Sequence, residues 1–323
     1  MTAQPHLNKS KVTRSIHPVM PSITYHITMF VLKLKGVKET FSKTPIDVKR
    51  LRKDDIHVPS EKLLSGASAT AIKIEKTAVT EIGPSKAPTS EFLLLYCPGG
   101  AFVYGPTELN WKSIAHLVES TQTKAWLVDY PKAPEAKIQE ITASIDRVYA
   151  EALKSYSSSN IILLGDSVGG NLVISLVQRL IEAGDAHPEK LILISPVLDA
   201  SMSHPEIDSI DKIDPILSKS GVLSAKRMCA VDMDLKDPMI SPLYGSFRNF
   251  PSTHMFIAQN DIMMPDQKLA VHKMLEENVE VEVIEGKGMP HIWPLLPVMS
   301  EAKSALTKVG AIIQYTINTN KHL

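Results

Sequence analysis

Residues 161–171 decide the fold, and they read Ile161-Ile162-Leu163-Leu164-Gly165-Asp166-Ser167-Val168-Gly169-Gly170-Asn171. A buried strand is indicated by the first four residues, and helical apolar spacing begins after the Gly-x-Ser-x-Gly pentapeptide. A strand, this pentapeptide and a helix form a nucleophile elbow, in which side chains larger than glycine would collide with neighbouring backbone. A phosphate-binding helix start would need other glycine spacing or a following lysine, and neither is present. The pattern therefore predicts that Ser167 is a nucleophile at the carboxyl edge of a sheet.

Short apolar runs alternate with longer amphipathic stretches on both sides of this motif. Several runs are apolar almost throughout, as in strands that a mainly parallel sheet buries on both faces. Strands are predicted at 71–74, 92–96, 125–128, 161–164, 191–194, 253–258 and 281–284. Helices are predicted at about 108–120, 138–155, 170–183, 266–277 and 299–315. The alternation predicts an α/β fold with helices on both faces of the central sheet.

Two stretches break this alternation and are expected to form a helical cap. Residues 1–60 carry helical patterning without a strand, and residues of about 199–245 are far longer than an ordinary connection. We therefore expect an N-terminal cap segment at 1–60 and a catalytic domain at 61–323 that carries the second cap insertion. Four methionines in the insertion suit either a loose apolar pocket or gap-filling in a core; they are Met202, Met228, Met233 and Met239.

A serine hydroxyl needs a base, which in an elbow fold follows an acid in the chain order Ser, Asp or Glu, His. His291 lies in the loop after the last predicted strand, which makes it the candidate base. Asp261 directly follows the strand predicted at 253–258 and is the candidate acid. Asp266 begins a helix after a proline, where a carboxylate interacts favourably with the helix dipole, and this explains the aspartate without a catalytic role. Asp237 is more distant from any strand end. We expect Ser167, Asp261 and His291 to meet at one sheet edge.

Acyl transfer also needs N–H donors directed at the developing oxyanion. Small residues follow the strand predicted at 92–96 and allow the backbone to approach a substrate; without the other motif elements they would indicate a plain turn. We expect the oxyanion hole to comprise Gly99, Gly100, Ala101 and, beside the nucleophile, Val168.

The joint pattern resembles the hormone-sensitive-lipase-like family of α/β-hydrolases, which includes many bacterial esterases. The resemblance rests on Pro98-Gly99-Gly100-Ala101-Phe102, Asp129-Tyr130-Pro131-Lys132-Ala133-Pro134-Glu135, the elbow Gly165 to Asn171, Ser241-Pro242-Leu243, the segment Asp261 to Asp266, and Gly288-Met289-Pro290-His291. It covers roughly residues 90–300 and implies an α/β-hydrolase fold with Ser167 as nucleophile, Asp261 as acid and His291 as base. Residues 261 and 291 are 30 positions apart, which also suits the family's interval between acid and base.

Some positions depart from the family's pattern. Pro98 replaces the histidine of the family's His-Gly-Gly-Gly-Phe, but the oxyanion donors come later in the chain, so the hole itself is not lost. Trp293 stands where the family has Phe after the base, and we expect it to line the substrate pocket together with Phe102. These departures concern the identity of the substrate more than the type of reaction.

Composition excludes several other classes. The 323 residues are 44% hydrophobic and 22% charged, as in globular proteins, and 35 basic residues balance 35 acidic ones. A nucleic-acid partner is therefore not expected. Two cysteines cannot form a disulfide framework, which favours the cytoplasm, and the apolar run at 29–32 is too short to span a membrane. The amphipathic N-terminus is a candidate for contact with a lipid surface, and a homodimer is a further candidate assembly.

These residues predict a serine hydrolase that cleaves carboxylic esters of short to medium acyl chains, roughly two to eight carbons, through an acyl-enzyme. The chemistry requires a small-molecule ester but neither a cofactor nor a metal. A deacetylase or amidase would use the same triad, because fold and triad do not choose the leaving group. The other class is a ligand-binding receptor on an inactive hydrolase scaffold, although a pure binder has no chemical reason to keep all three residues.

Overall fold

One mixed sheet organises the molecule. The structure, a computed structural model, describes residues 13–16, 21–296 and 298–320. Its strands are β1 (Thr13–Ile16), β2 (Ser68–Ile74), β3 (Thr77–Gly83), β4 (Leu93–Cys97), β5 (Lys124–Asp129), β6 (Ile161–Asp166), β7 (Lys190–Ile194), β8 (Ser252–Asn260) and β9 (Val281–Pro290). Within the described residues these nine strands lie in the order β1-β9-β8-β7-β6-β4-β5-β3-β2. Since β4, β6 and β7 are buried at every position, they form the centre of the core.

Helices connect the strands and cover the sheet. They are α1 (Ile23–Leu34), α2 (Val37–Phe41), α3 (Val48–Leu51), α4 (Glu61–Leu64), α5 (Glu108–Thr121), α6 (Ile138–Ala152), α7 (Val168–Ala183), α8 (Ile207–Ile210), α9 (Lys219–Ala230), α10 (Met264–Glu276) and α11 (Ser300–Asn320). Short 3₁₀ turns lie at Arg52–Asp54, Ser158–Asn160, Pro242–Tyr244 and Trp293–Leu295. Helix α5 packs beside α11, and α6 packs beside α7, which forms two helical layers.

The strand directions confirm the predicted fold class. Every pairing is parallel except β2 with β3 and β3 with β5, which lie at one end of the sheet. Parallel strands joined by helices bury both faces, which explains why their sequences are apolar almost throughout. All seven predicted strands and all five predicted helices correspond to observed elements.

Two strands were not expected. The prediction that residues 1–60 lack a strand is wrong, because β1 pairs in parallel with β9 from Thr13 opposite Glu282 to Ile16 opposite Glu285. Strand β3 mixes polar and apolar residues because it alternates between buried and accessible positions near the sheet end. Neither strand carries the continuous apolar run by which the central strands were recognised.

The two predicted cap segments contact one another. A Cβ at Gly221 of α9 would lie 1.8 Å from the carbonyl oxygen of Phe41 at the end of α2, so only glycine permits this approach. Lys38 of α2 donates from Nζ to the carbonyl oxygens of Asp214, at 2.7 Å, and Leu217, at 3.0 Å. The boundaries of the cap and the catalytic domain stay predictions, but the two segments meet in space.

Two further observations bear on the sequence predictions. Among the described helices, none is both long and apolar enough to cross a bilayer. Cys97 and Cys229 are free and buried, and burial raises the pKa of both thiols, so neither is a ready nucleophile.

Candidate active site

The elbow at Ser167 is built by close backbone packing. Strand β6 ends at Asp166 and helix α7 begins at Val168, so the serine is the only residue between them. Ser167 has φ 52° and ψ −122°, a conformation that L-residues rarely adopt. A Cβ at Gly169 would lie 1.8 Å from the Cys97 carbonyl oxygen, and one at Gly165 would lie 2.5 Å from the Gly169 carbonyl oxygen. Both glycines of the pentapeptide are therefore required by backbone contact.

A line of hydrogen bonds joins the serine to a histidine and an aspartate. His291 Nε2 lies 2.9 Å from Ser167 Oγ, and His291 Nδ1 lies 2.7 Å from Asp261 Oδ2. The second oxygen of Asp261 accepts the N–H of Met263 at 2.9 Å. Asp261 follows β8 and His291 follows β9, and these parallel neighbours end at the same sheet edge. The fold thus brings together the three residues that the sequence pattern singled out.

The charges around His291 favour its protonated form. Burial alone disfavours the imidazolium, but the Asp261 carboxylate opposes it through charge and a hydrogen bond. Asp214 and Asp166 contribute further negative charge, and the pKa of His291 is raised above its ordinary value. Such an imidazole accepts a proton readily and is held in one orientation by the carboxylate.

The two rival carboxylates lie elsewhere. Asp266, in the first turn of α10, is buried, and its Oδ2 has no hydrogen-bond partner among the described residues. Burial raises the pKa of this carboxyl, although the ammonium of Lys226 opposes the shift. Asp237 accepts the N–H of Met239 at 2.8 Å within its own turn. Of these three aspartates, only Asp261 is hydrogen-bonded to His291.

The loop after β4 presents N–H groups beside Ser167. Within the described residues, the N–H groups of Gly100 and Ala101 donate to no other group. Val168 is the first residue of α7, where a helix leaves its N–H without an intrahelical acceptor. The expectation for Gly99 needs correction as far as its N–H is concerned, because that group donates to Asp166 Oδ1 at 3.0 Å. Three of the four expected donors therefore remain for an oxyanion.

Asp166 braces this loop, a role that sequence reasoning missed. Its Oδ1 also accepts the Tyr96 hydroxyl at 2.5 Å, and Asn110 Nδ2 lies 3.4 Å away. Burial raises the pKa of Asp166 to about 6, although Tyr96 and Gly99 donate to the carboxylate. The Tyr130 hydroxyl donates to the Pro98 carbonyl oxygen at 2.8 Å and holds the loop one residue earlier. The position of Asp166 in the elbow motif was the available signal.

A cavity of about 80 Å³ lies over the serine. Its polar lining includes Asn110, Ser167, Lys226 and His291. The rest is largely apolar, and its larger side chains are Phe41, Tyr104, Leu109, Val168, Val197, Ile216, Leu217, Val222, Met263 and Ile292. Phe41 comes from the first predicted cap segment and Ile216, Leu217, Val222 and Lys226 from the second, so both segments contribute to the wall.

The predicted pocket residues are not in this lining. Phe102 is fully buried, with its carbonyl oxygen accepting the Ala133 N–H at 2.8 Å. Trp293 is also fully buried, with its ring centroid 6.4 Å from that of Phe256. The intervening Ile292 has φ 49°, and it lines the cavity in place of the tryptophan. The expectation for both residues was wrong, because both side chains are buried in the core and neither lines the cavity.

The four methionines of the second cap segment do not line the cavity either, and each packs in or against the core. Two buried polar residues of that segment do approach the site. Lys226 of α9 donates from Nζ to the Asp199 carbonyl oxygen at 2.8 Å, and burial lowers its pKa. Asp214 belongs to no recognisable sequence motif and lies 47 residues before Asp261. No sequence signal could have linked either residue to the elbow.

Comparison with known proteins places this geometry in a family. A family model described as the alpha/beta hydrolase fold matches residues 94–295. The chain belongs to the α/β-hydrolase family. This match bears out the hormone-sensitive-lipase-like resemblance and the prediction of an esterase- or lipase-type enzyme.

Similar proteins include two bacterial esterases. An esterase of Acinetobacter venetianus is 30% identical over 221 residues, which cover 68% of this chain and 73% of the relative. An esterase named LipU from Mycobacterium tuberculosis is 27% identical over 230 residues, which cover 68% of this chain and 77% of the relative. A crystal structure of an esterase from the bacterial hormone-sensitive lipase family shares the fold with a TM-score of 0.82, 20% identity and coverage of 93% of this chain and 100% of that one.

Proposed function

We propose that the protein is a carboxylic-ester hydrolase that works through an acyl-enzyme, with Ser167 as nucleophile, His291 as base and Asp261 as the residue that orients the histidine. The observation that carries the proposal is the continuous hydrogen-bonded line from Ser167 Oγ through His291 to Asp261. This line also favours an active enzyme over a receptor, because ligand binding alone does not need a base next to a strained serine.

The reaction follows from these contacts. His291 Nε2 takes the proton from Ser167 Oγ as that oxygen bonds to the ester carbonyl carbon. The carbonyl oxygen becomes an oxyanion, for which the N–H groups of Gly100, Ala101 and Val168 are donors. When the intermediate collapses, His291 returns the proton to the departing alcohol. A water molecule then gives a proton to His291 as it attacks the acyl carbon. The bond from this carbon to Ser167 Oγ breaks, His291 returns the proton to Oγ, and the carboxylic acid leaves.

The cavity supports small substrates. Its volume of about 80 Å³ and its largely apolar wall favour short to medium acyl chains, roughly two to eight carbons, over long ones. Phe41, Leu217 and Val222 contribute apolar side chains to this wall. An amide or an acetylated alcohol would meet the same nucleophile, so the leaving group is a further outcome of the substrate screen.

Two measurements test the proposal. A fluorophosphonate probe should label the folded parent but not Ser167→Ala, and p-nitrophenyl butyrate should be hydrolysed faster than the palmitate ester. Absence of labelling in a folded parent would contradict the enzyme assignment and favour a ligand-binding receptor. Labelling that persists in Ser167→Ala would contradict the choice of nucleophile.

For the N-terminal segment we propose contact with an anionic lipid surface. Helix α1 exposes a continuous apolar stripe of Ile23, Ile27, Phe30, Val31 and Leu34. Exposed Lys33 and Lys35 flank the stripe on opposite sides, and residues 1–38 contain six Lys or Arg and no Asp or Glu. An apolar stripe with flanking cations is typical of helices that lie in a membrane interface.

Co-sedimentation with vesicles tests this contact. The parent should pellet with phosphatidylserine-containing vesicles more than with phosphatidylcholine alone, and Phe30→Ser should reduce the bound fraction. Tyr315→Ser, which removes an exposed aromatic ring from α11, is the matched control. Equal pelleting of all three proteins would contradict the lipid contact. The homodimer and the cytoplasmic location stay predictions.

A further inference from the structure

Asp214 joins the second cap segment to the loop that carries the proposed catalytic acid. It lies between α8 and α9 and is 1% exposed. Its Oδ1 accepts the N–H groups of Ile216 at 2.8 Å and Leu217 at 2.9 Å, which closes a turn in the cap. Its Oδ2 accepts the N–H of Ile262 at 3.0 Å, and Ile262 directly follows Asp261. One buried carboxylate therefore fixes both the cap and the acid loop.

The acid loop is short, so this contact limits its movement. Asp261 Oδ1 accepts the Met263 N–H, and Asp214 Oδ2 accepts the intervening N–H of Ile262. Two carboxylates thus hold two successive N–H groups. Without an acceptor, the buried Ile262 N–H would lose a charge-assisted hydrogen bond, and the loop would gain freedom to rotate Asp261 away from His291.

The first cap segment supports the same arrangement. Lys38 Nζ donates to the carbonyl oxygens of Asp214 and Leu217, and also contacts that of Asp211. These three carbonyls belong to the loop that presents the Asp214 side chain. The position of Asp214 is therefore fixed by contacts from both cap segments and from the catalytic domain.

The charge of Asp214 also acts on the site. With Asp261 and Asp166 it is one of three carboxylates that raise the pKa of His291, while burial opposes them. Burial and the nearby Asp261 in turn raise the pKa of Asp214 to about 6, against its three hydrogen bonds. The ammonium of Lys226 and the buried carboxyl of Asp266 also interact electrostatically with Asp261. Loss of the Asp214 charge is therefore expected to lower the pKa of His291.

We propose that Asp214 is a positioning residue for the hydrolase reaction. By accepting the Ile262 N–H it keeps the Asp261 carboxylate in hydrogen-bond contact with His291, so the geometry of the triad depends on the cap being folded in place. The inference rests on the proposed function. Asp214 itself does not line the cavity, so its effect is on turnover rather than on substrate contact.

The test is Asp214→Asn, which is isosteric. The amide oxygen can still accept the N–H groups of the cap turn, but the uncharged NH₂ group then faces Ile262 and cannot accept its N–H. We expect kcat to fall about 10- to 100-fold, since misplacement of a catalytic group by about 1 Å has an effect of this size. KM should stay within about twofold of the parent, because the cavity wall is unchanged. The acid limb of the pH profile of kcat/KM should move to lower pH, by less than about one unit.

Asp211→Asn is the matched control. It removes a carboxylate from the same cap loop, where Oδ1 accepts the Lys219 N–H at 3.1 Å and lies 3.5 Å from Lys38 Nζ, but it has no contact with the acid loop. This variant should keep the parent's kcat and pH profile. A merely structural role for Asp214 would lower the melting temperature or raise KM, with kcat and the acid limb unchanged in the folded variant, and that result would overturn the proposal.

A second variant keeps the proposal testable if Asp214→Asn does not fold. Lys38→Met frees the carbonyls of the cap loop without changing Asp214, and we expect a smaller loss of kcat with an unmoved acid limb. Full kcat in this variant, with Asp214→Asn unfolded, would count against the proposal. A parent without esterase activity would instead contradict the proposed function, so the two failures are distinguishable.

Discussion

The sharpest test of the triad is Asp261→Asn, because the structure fixes which way the new amide must face. Asp261 Oδ1 accepts the Met263 N–H at 2.9 Å, so the asparagine oxygen should occupy this position. The amide nitrogen then takes the place of Oδ2, 2.7 Å from His291 Nδ1, and donates a hydrogen to it. The histidine must in turn carry its proton on Nε2, where it faces Ser167 Oγ at 2.9 Å and cannot accept the serine proton.

The expected cost follows from this tautomer. Reversal of the histidine tautomer by an Asp to Asn change lowers kcat by about 10⁴-fold in a serine protease, which corresponds to about 5 kcal/mol of transition-state stabilisation. We expect a loss of the same order, measured as kcat on p-nitrophenyl butyrate with active-site titration of the folded variant. Side-chain volume is conserved, so the fold should be retained.

Asp266→Asn and Asp237→Asn are the controls for this experiment. Asp266 is buried in the first turn of α10 and contributes no hydrogen bond to His291, so its variant should lose far less activity even if its melting temperature falls. Asp237 lies in a surface turn, and its variant should keep the parent's activity. The reasoning is refuted if Asp261→Asn stays within tenfold of the parent, or if Asp266→Asn is the inactive variant.

Three further outcomes are expected. Neighbouring carboxylates raise the pKa of His291, and the neutral imidazole is the base, so kcat/KM should fall with decreasing pH. It should reach half its plateau above about pH 6.5, the ordinary pKa of histidine, and a midpoint well below that pH would contradict the charge assignment. Gly169→Ala should fold poorly, seen as little soluble protein or a strongly lowered melting temperature, because its Cβ would lie 1.8 Å from the Cys97 carbonyl oxygen; a parent-like melting curve would refute the packing argument. Phe41→Ala should enlarge the cavity and raise kcat/KM for octanoate relative to acetate esters, and an unchanged chain-length profile would show that Phe41 does not limit the acyl site.

The local sequence determined the centre of the molecule. Residues 161–171 indicate strand, turn and helix by their own pattern. Close backbone approach requires glycine at 165, against Gly169, and at 169, against Cys97 of the neighbouring strand β4. The central strands were recognisable because burial on both faces leaves little choice but apolar side chains. Asp261 and His291 were recognisable because each follows such a strand, and parallel strands end at one edge. The edge strand β1 and the next-to-edge strand β3 lack the continuous apolar run and escaped prediction.

Tertiary structure alone decided the surroundings of the site. Phe102 and Trp293 are near catalytic positions in sequence, yet neither lines the cavity. Trp293 follows the turn at Ile292 and packs against Phe256 in the core. Asp214 and Lys226 carry no motif, and they reach the site only because the cap folds over it. A motif records contacts between residues near in sequence, and strand order records which loops meet. Which side chain of a long insertion faces the cavity depends on packing between distant segments, and no short pattern encodes it.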